Sequence, residues 1–150
     1  MMNRREKLIY IAGMLDAKSC FYICKYYCKK LNVYKYAGSV QLWVPKKEIG
    51  DFICETLNIQ SPLRKTYKGD SMGMVFNNKS LDALLEIITP YLVFKKPHAK
   101  VLIKYRETIN NRLAIRMTAG ISGVPPHIEE IRDNYFQEIR QLNGFPAEEK

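Results

Sequence analysis

The residues best suited to hold a metal in this chain are four cysteines, Cys20, Cys24, Cys28 and Cys54, and two histidines, His98 and His127. Three of the thiols recur every four residues. On a helix that spacing would put them on one side, within reach of a shared zinc ion. On a strand they would also share a face, but about 13 Å would separate each from the next, too far for one ion. No two cysteines form a CxxC pair, and the run from Phe21 onward is rich in strand-forming residues. The expectation is therefore free thiols in a reducing compartment and no bound metal.

The second chemical resource is positive charge. The 150 residues carry a formal net charge of +9, with a pI near 9.4. A polyanionic partner is implied, nucleic acid first and an anionic membrane surface second. The charge is uneven. Residues 1–36 hold eight bases (Arg4, Arg5, Lys7, Lys18, Lys25, Lys29, Lys30, Lys35) against Glu6 and Asp16, whereas residues 119–150 hold three bases against six acids. The basic surface thus belongs to the first two thirds of the chain. The acidic last helix should pack on the body or meet a partner.

Hydrophobic residues make up 47% and charged residues 26%, the composition of a globular domain with its own core. No apolar run reaches the ~18 residues of a membrane span. The run Leu8–Leu15 is short, stops at Asp16 and lacks a leader-peptide cleavage pattern. The expected location is the cytoplasm or an organelle interior.

These residues need elements to position them. Leu8, Ile11, Ala12 and Leu15 recur at helical spacing, predicting a helix over 5–17. Strand-forming residues follow over Cys20–Lys29 and Val33–Val44, separated by Lys30–Asn32, which reads as a long hairpin. In its second strand Tyr36, Gly38, Val40, Leu42 and Val44 share a core-like face, and Lys35, Ala37, Ser39, Gln41 and Trp43 a surface-like one. Pro45 opens a second helix, with Ile49, Phe52, Ile53 and Leu57 inward. A shorter hairpin pairs Pro62–Lys68 with Ser71–Asn77 around Gly69 and Asp70. Ser80 caps a third helix (Leu81, Leu84, Leu85 and Ile88 inward) that stops near Pro90. A fourth helix covers 98–117, with Leu102, Tyr105, Ile109 and Leu113 in register. The stretch Thr118–Pro126 is a loop. A last helix over 127–142 turns Ile128, Ile131, Tyr135, Ile139 and Leu142 inward and ends at Asn143-Gly144. The fold class is α+β, in the order αββαββα with additional C-terminal helices. Residues 1–118 form the core and 119–150 an extension of the same domain.

One segment, Ile11-Ala12-Gly13-Met14-Leu15-Asp16-Ala17-Lys18-Ser19, resembles the nine-residue motif that names the LAGLIDADG homing endonucleases. The likeness is close at the first seven positions and fails at the eighth. The segment Pro90–Lys96 followed by Ala99 also resembles the family's Pro-aromatic-Leu-x-x-Lys run, and the likeness covers roughly residues 5–115. It implies a saddle of four antiparallel strands backed by helices. With a single motif it implies a homodimer, whose interface would use Ile11, Ala12, Gly13, Leu15 and Asp16, and a palindromic or near-palindromic duplex DNA site.

The resemblance also implies where DNA would lie. Tyr22, Tyr26 and Lys30 of the first strand, in phase with Lys18 and with Cys24 and Cys28, would face it. Lys35, Ser39, Gln41 and Trp43 would do so from the second strand, and Arg64, Thr66 or Tyr67, and Lys68 from the second hairpin. Gln41 suits adenine and Arg64 guanine, while the lysines suit phosphates. Family nucleases hold divalent metal with an acid at the motif's eighth position, which here is Lys18. The neighbouring family positions hold Lys46 and Lys95, with Lys96 adjacent, so no intact catalytic set remains. The expected function is sequence-specific duplex DNA binding without cleavage and without a cofactor. An active Mg²⁺-dependent endonuclease and an RNA-binding intron maturase are the alternatives.

Overall fold

The computed structural model describes residues 1–60, 63–65, 72–110 and 126–145. Helix α1 (Arg4–Lys18) leads into β1 (Ser19–Cys28) and β2 (Val33–Val44). Helix α2 (Lys47–Leu57), β3 (Leu63–Lys65), β4 (Met72–Asn77) and α3 (Asn78–Ile88) follow. A 3-10 turn (Thr89–Tyr91), α4 (Lys96–Asn110) and α5 (Pro126–Leu142) complete it. The strands form one antiparallel sheet in the order β1-β2-β4-β3. This is the expected α+β order. The tip of the second hairpin, Leu113 and the remainder of residues 111–125, and the tail beyond 145 lie outside the described residues.

Helix α1 starts where Asn3 and Glu6 cap each other. The Asn3 side chain accepts from the Glu6 N–H, and the Glu6 carboxylate accepts from the Asn3 N–H, both at 2.9 Å. Its Leu8, Ile11, Ala12 and Leu15 are buried. The β1–β2 turn is closed by Asn32 at φ +53, a conformation asparagine tolerates better than most residues.

The predicted strand phase is the observed one. Phe21 and Ile23 of β1, Val40, Leu42 and Val44 of β2, and Met74 and Phe76 of β4 are all buried beneath helices. Gly38 of β2 lies directly beneath α4. A Cβ there would lie 2.9 Å from the Tyr105 ring, so glycine is what lets this helix lie on the sheet. Burial pushes the Tyr105 phenol up to about 12. Helices α3 and α4 are joined by the Arg106 guanidinium, which donates to both Asp82 oxygens at 2.7 and 3.0 Å.

Several element details differ from expectation. Lys46, not Pro45, occupies the N-cap of α2, so the proline precedes the helix. Asn77 caps α3, and Ser80 sits three residues inside it. The Ser80 hydroxyl accepts from the Asn77 N–H at 3.0 Å and so closes the first turn from within. Helix α4 begins at Lys96, two residues early. On α5, Ile139 is buried as expected, but Ile131 and Leu142 are exposed and Phe136 makes the other buried contact.

The acidic helix α5 packs against α4 and β1. Asp133 receives the Lys25 ammonium at 2.8 Å and the Tyr36 hydroxyl at 2.9 Å, with the Lys25 charge also 4.8 Å from the Tyr34 ring centre. Arg132 donates to the Thr108 hydroxyl and carbonyl, both at 3.0 Å. The helix thus answers one cation, Lys25, on the covered side of the sheet. It ends at Gly144 (φ +86), beside the Asn143 amide, which donates to the Phe21 carbonyl at 2.8 Å.

His98 is enclosed near this end, edge-on to Phe21 with ring centres 6.3 Å apart. Neither ring nitrogen makes a well-formed hydrogen bond among the described residues. Burial, with the nearby Lys95 charge, lowers its pKa, and the Leu142 backbone and Asn143 amide offset this only in part. The folded state therefore holds the neutral imidazole while the unfolded chain takes up a proton more readily. Stability from this site is full above the ordinary histidine value of about 6.5 and declines as pH falls below it. Urea midpoints should drop between about pH 7 and 5, and His98→Phe should flatten that decline. An equal decline in the variant would show that other groups govern it.

Candidate nucleic-acid interface

Strand pairing decides which side chains share the uncovered sheet face. Tyr26 lies opposite Lys35, Cys24 opposite Ala37, Tyr22 opposite Ser39, and Cys20 opposite Gln41. On the other side of β2, Ser39 pairs with Asn77, Gln41 with Val75, and Trp43 with Gly73, which in turn pairs with Arg64. Antiparallel partners point to the same face, so the side chains of β1, β2 and β4 in these pairs belong to one surface. Cys20, Cys24, Tyr26, Lys35 and Trp43 are exposed, and Tyr22, Cys28 and Gln41 half-buried. Ser39 departs from expectation. It is buried, at 8% exposure, between Tyr22 and Asn77 in its row.

The four strands contain no aspartate or glutamate. A phosphate-rich partner would meet no repulsion from them. Lys30 stands exposed in the hairpin turn. Arg64 is placed by its backbone alone, and Thr66, Tyr67 and Lys68 lie outside the described residues. Lys25, counted with the basic N-terminal residues, lies on the covered side and is neutralised by Asp133. Arg4 donates to the Thr56 carbonyl at 3.1 Å.

Lys18, Lys46 and Lys95 are brought to one end of the sheet. Lys18 ends α1 just before Ser19, which pairs with Leu42, and Lys46 follows the end of β2. Lys95 arrives there through Asp16. The two Asp16 oxygens accept the backbone N–H groups of Val93 and Lys95 at 2.9 and 2.8 Å. Lys18 and Lys46 are exposed; Lys95 and Lys96 are half-buried.

Of the residues expected at a motif-helix interface, Gly13 is exposed and Asp16 half-buried. Ile11, Ala12 and Leu15 turn into the chain's own core, at 0–1% exposure. Asp16 is engaged by the 93–95 backbone. The side left open on α1 runs through Ile9, Tyr10, Gly13 and Ala17, and a Cβ on Gly13 would meet nothing within 4 Å.

The donor set does not suit a divalent cation. Its one carboxylate, Asp16, already accepts two backbone hydrogen bonds, and the next residue toward the sheet with a charge is a lysine. Among the described residues no group of three or more His, Cys, Asp or Glu side chains is placed to hold a metal ion. The three thiols of β1 lie along one strand, as the strand-forming residues around them predicted. No described helix is long and apolar enough to cross a membrane.

Asp16 is thus a structural clasp between α1 and the start of α4. Asp16→Ala should leave two backbone N–H groups without their acceptor and lower stability by about 2 kcal/mol. Asp16→Asn should retain part of it. Urea denaturation measures both, and a loss under about 0.5 kcal/mol in the alanine variant would contradict the clasp.

No family model and no curated protein matches the chain in sequence. Solved structures do match in shape. An archaeal intron-encoded homing endonuclease complexed with DNA aligns with a TM-score of 0.78 and 14% identity, over 98% of this chain and 91% of that one. Homing endonuclease I-CvuI in complex with its target aligns at 0.69 and 17%, over 98% and 86%. The LAGLIDADG homing endonuclease I-GzeII in complex with a DNA target aligns at 0.72 and 13%, over all of this chain but 52% of that one. The chain therefore has the LAGLIDADG homing endonuclease fold.

Proposed function

We propose that this chain is a sequence-specific duplex DNA-binding protein that works as a homodimer and does not cleave its site. The observation that carries the reading is an open sheet face whose strands carry no acid and which ends in Lys18, where the resemblance would place a metal-binding acid. The DNA complexes of the structures sharing this fold support duplex DNA as the partner.

Dimer formation is supported by two features. I-GzeII is about twice the length that this chain covers, so a second copy would supply a matching second half. The open side of α1 offers apolar Ile9, half-exposed, and small Gly13 and Ala17, with Gly13 unobstructed, which permits close approach of two helices there. Two-fold symmetry then matches a palindromic site.

Lys18 takes over electrostatically what a metal ion would do for the phosphates: it brings a fixed positive charge to them. It supplies no activated water and no Lewis acid. With Lys46 and Lys95 it makes a cluster suited to phosphate oxygens. Gln41 and Arg64 offer bidentate partners for adenine and guanine edges.

Anisotropy with a labelled duplex of about 24 base pairs tests the reading. Binding should occur in EDTA and weaken steeply with salt. Mg²⁺ should add nothing beyond its ionic strength, and Lys18→Glu should cost about tenfold or more. Affinity that requires Mg²⁺, or strand scission when it is added, would overturn the metal-free account and favour an active endonuclease.

A further inference from the structure

Trp43 is the chain's one tryptophan, and it sits on the open sheet face with 52% of its surface exposed. Its ring rests on Gly73. A Cβ there would lie 3.3 Å from the ring's Cζ3, with two more ring carbons at 3.6 and 3.7 Å. Glycine thus lets the indole lie across β4. Tyr26, 49% exposed, stands farther along the same face, with the half-buried Tyr22 between them.

Flat rings are poorly matched to a closed duplex. Base edges in the major groove present nitrogen and oxygen donors and acceptors, and the thymine methyl is their only apolar group. An indole offers a single N–H to such a surface. An unpaired base instead presents a π-face, and stacking on an aromatic side chain strengthens binding about five- to 150-fold per base. The surrounding strands carry no acid, and Lys18 and Lys35 can hold the phosphates on either side.

We propose that this face receives unpaired bases from a locally opened DNA segment, with Trp43, seated on Gly73, as the stacking platform. The inference rests on the reading of the chain as a duplex-binding protein and adds what the face does to that duplex.

The single tryptophan makes its own emission a report from position 43. Two duplexes of about 24 base pairs serve as probes, one fully paired and one with a central run of about four mismatches, in EDTA at equal ionic strength. The mismatched duplex should quench the emission more and bind at least about fivefold tighter by anisotropy. Trp43→Ala should bring the ratio of the two affinities close to one, and Trp43→Phe should keep part of the preference. Gly73→Val, which displaces the ring, should lower the same ratio, with circular dichroism confirming that each variant is folded. Equal affinity and equal quenching for the two duplexes would overturn this inference and leave duplex binding standing. Failure to bind either duplex would overturn duplex binding itself.

Discussion

Side chains alternate between the two faces of a strand, and burial follows that alternation at the sheet's core end, over Phe21–Ile23 of β1 and Val40–Val44 of β2. One phase carries Phe21, Ile23, Val40, Leu42 and Val44 into the core. The other carries tyrosines, thiols, Lys35, Gln41 and Trp43 outward. A one-residue slip of either strand would bury the cations and expose the core, so burial itself fixes the register. The helices settle on one side only, and the strand residues on the face they leave open include no acid.

The end of that face is organised by two residues two positions apart. Asp16 turns toward the 93–95 backbone and holds the start of α4, which fixes Lys95. Lys18 ends the helix exposed, beside the first strand. In this chain the carboxylate is structural and the ammonium faces outward. A divalent ion would find its acid already occupied and a positive charge nearby. Phosphate oxygens would find two or three lysines at one end of a sheet.

Much of this was legible in residue order. The buried stripe of α1 and the faces of the long hairpin follow from spacings of 3.6 and two. The likeness of residues 11–19 to a known motif pointed to the fold. Features that depend on partners distant in sequence were not legible. Lys25 belongs to the basic N-terminal run, yet nothing local shows that Asp133, 108 residues later, will pair with it. Ile11, Ala12 and Leu15 suit a helix interface by size, but only the packed chain shows that its own core takes them. The signal for Ser39 was its row: a small hydroxyl between a tyrosine and an asparagine is easily covered.

The proposal at the centre of this account is that the open sheet face reads duplex DNA and that Lys18, where the resemblance would place an acid, supports binding without hydrolysis. The most direct test selects bound duplexes from a random library without metal, then incubates each recovered duplex with the protein and Mg²⁺. The account predicts a palindromic consensus that is bound and stays intact. Cleavage of that consensus, or recovery of no consensus at all, would contradict it.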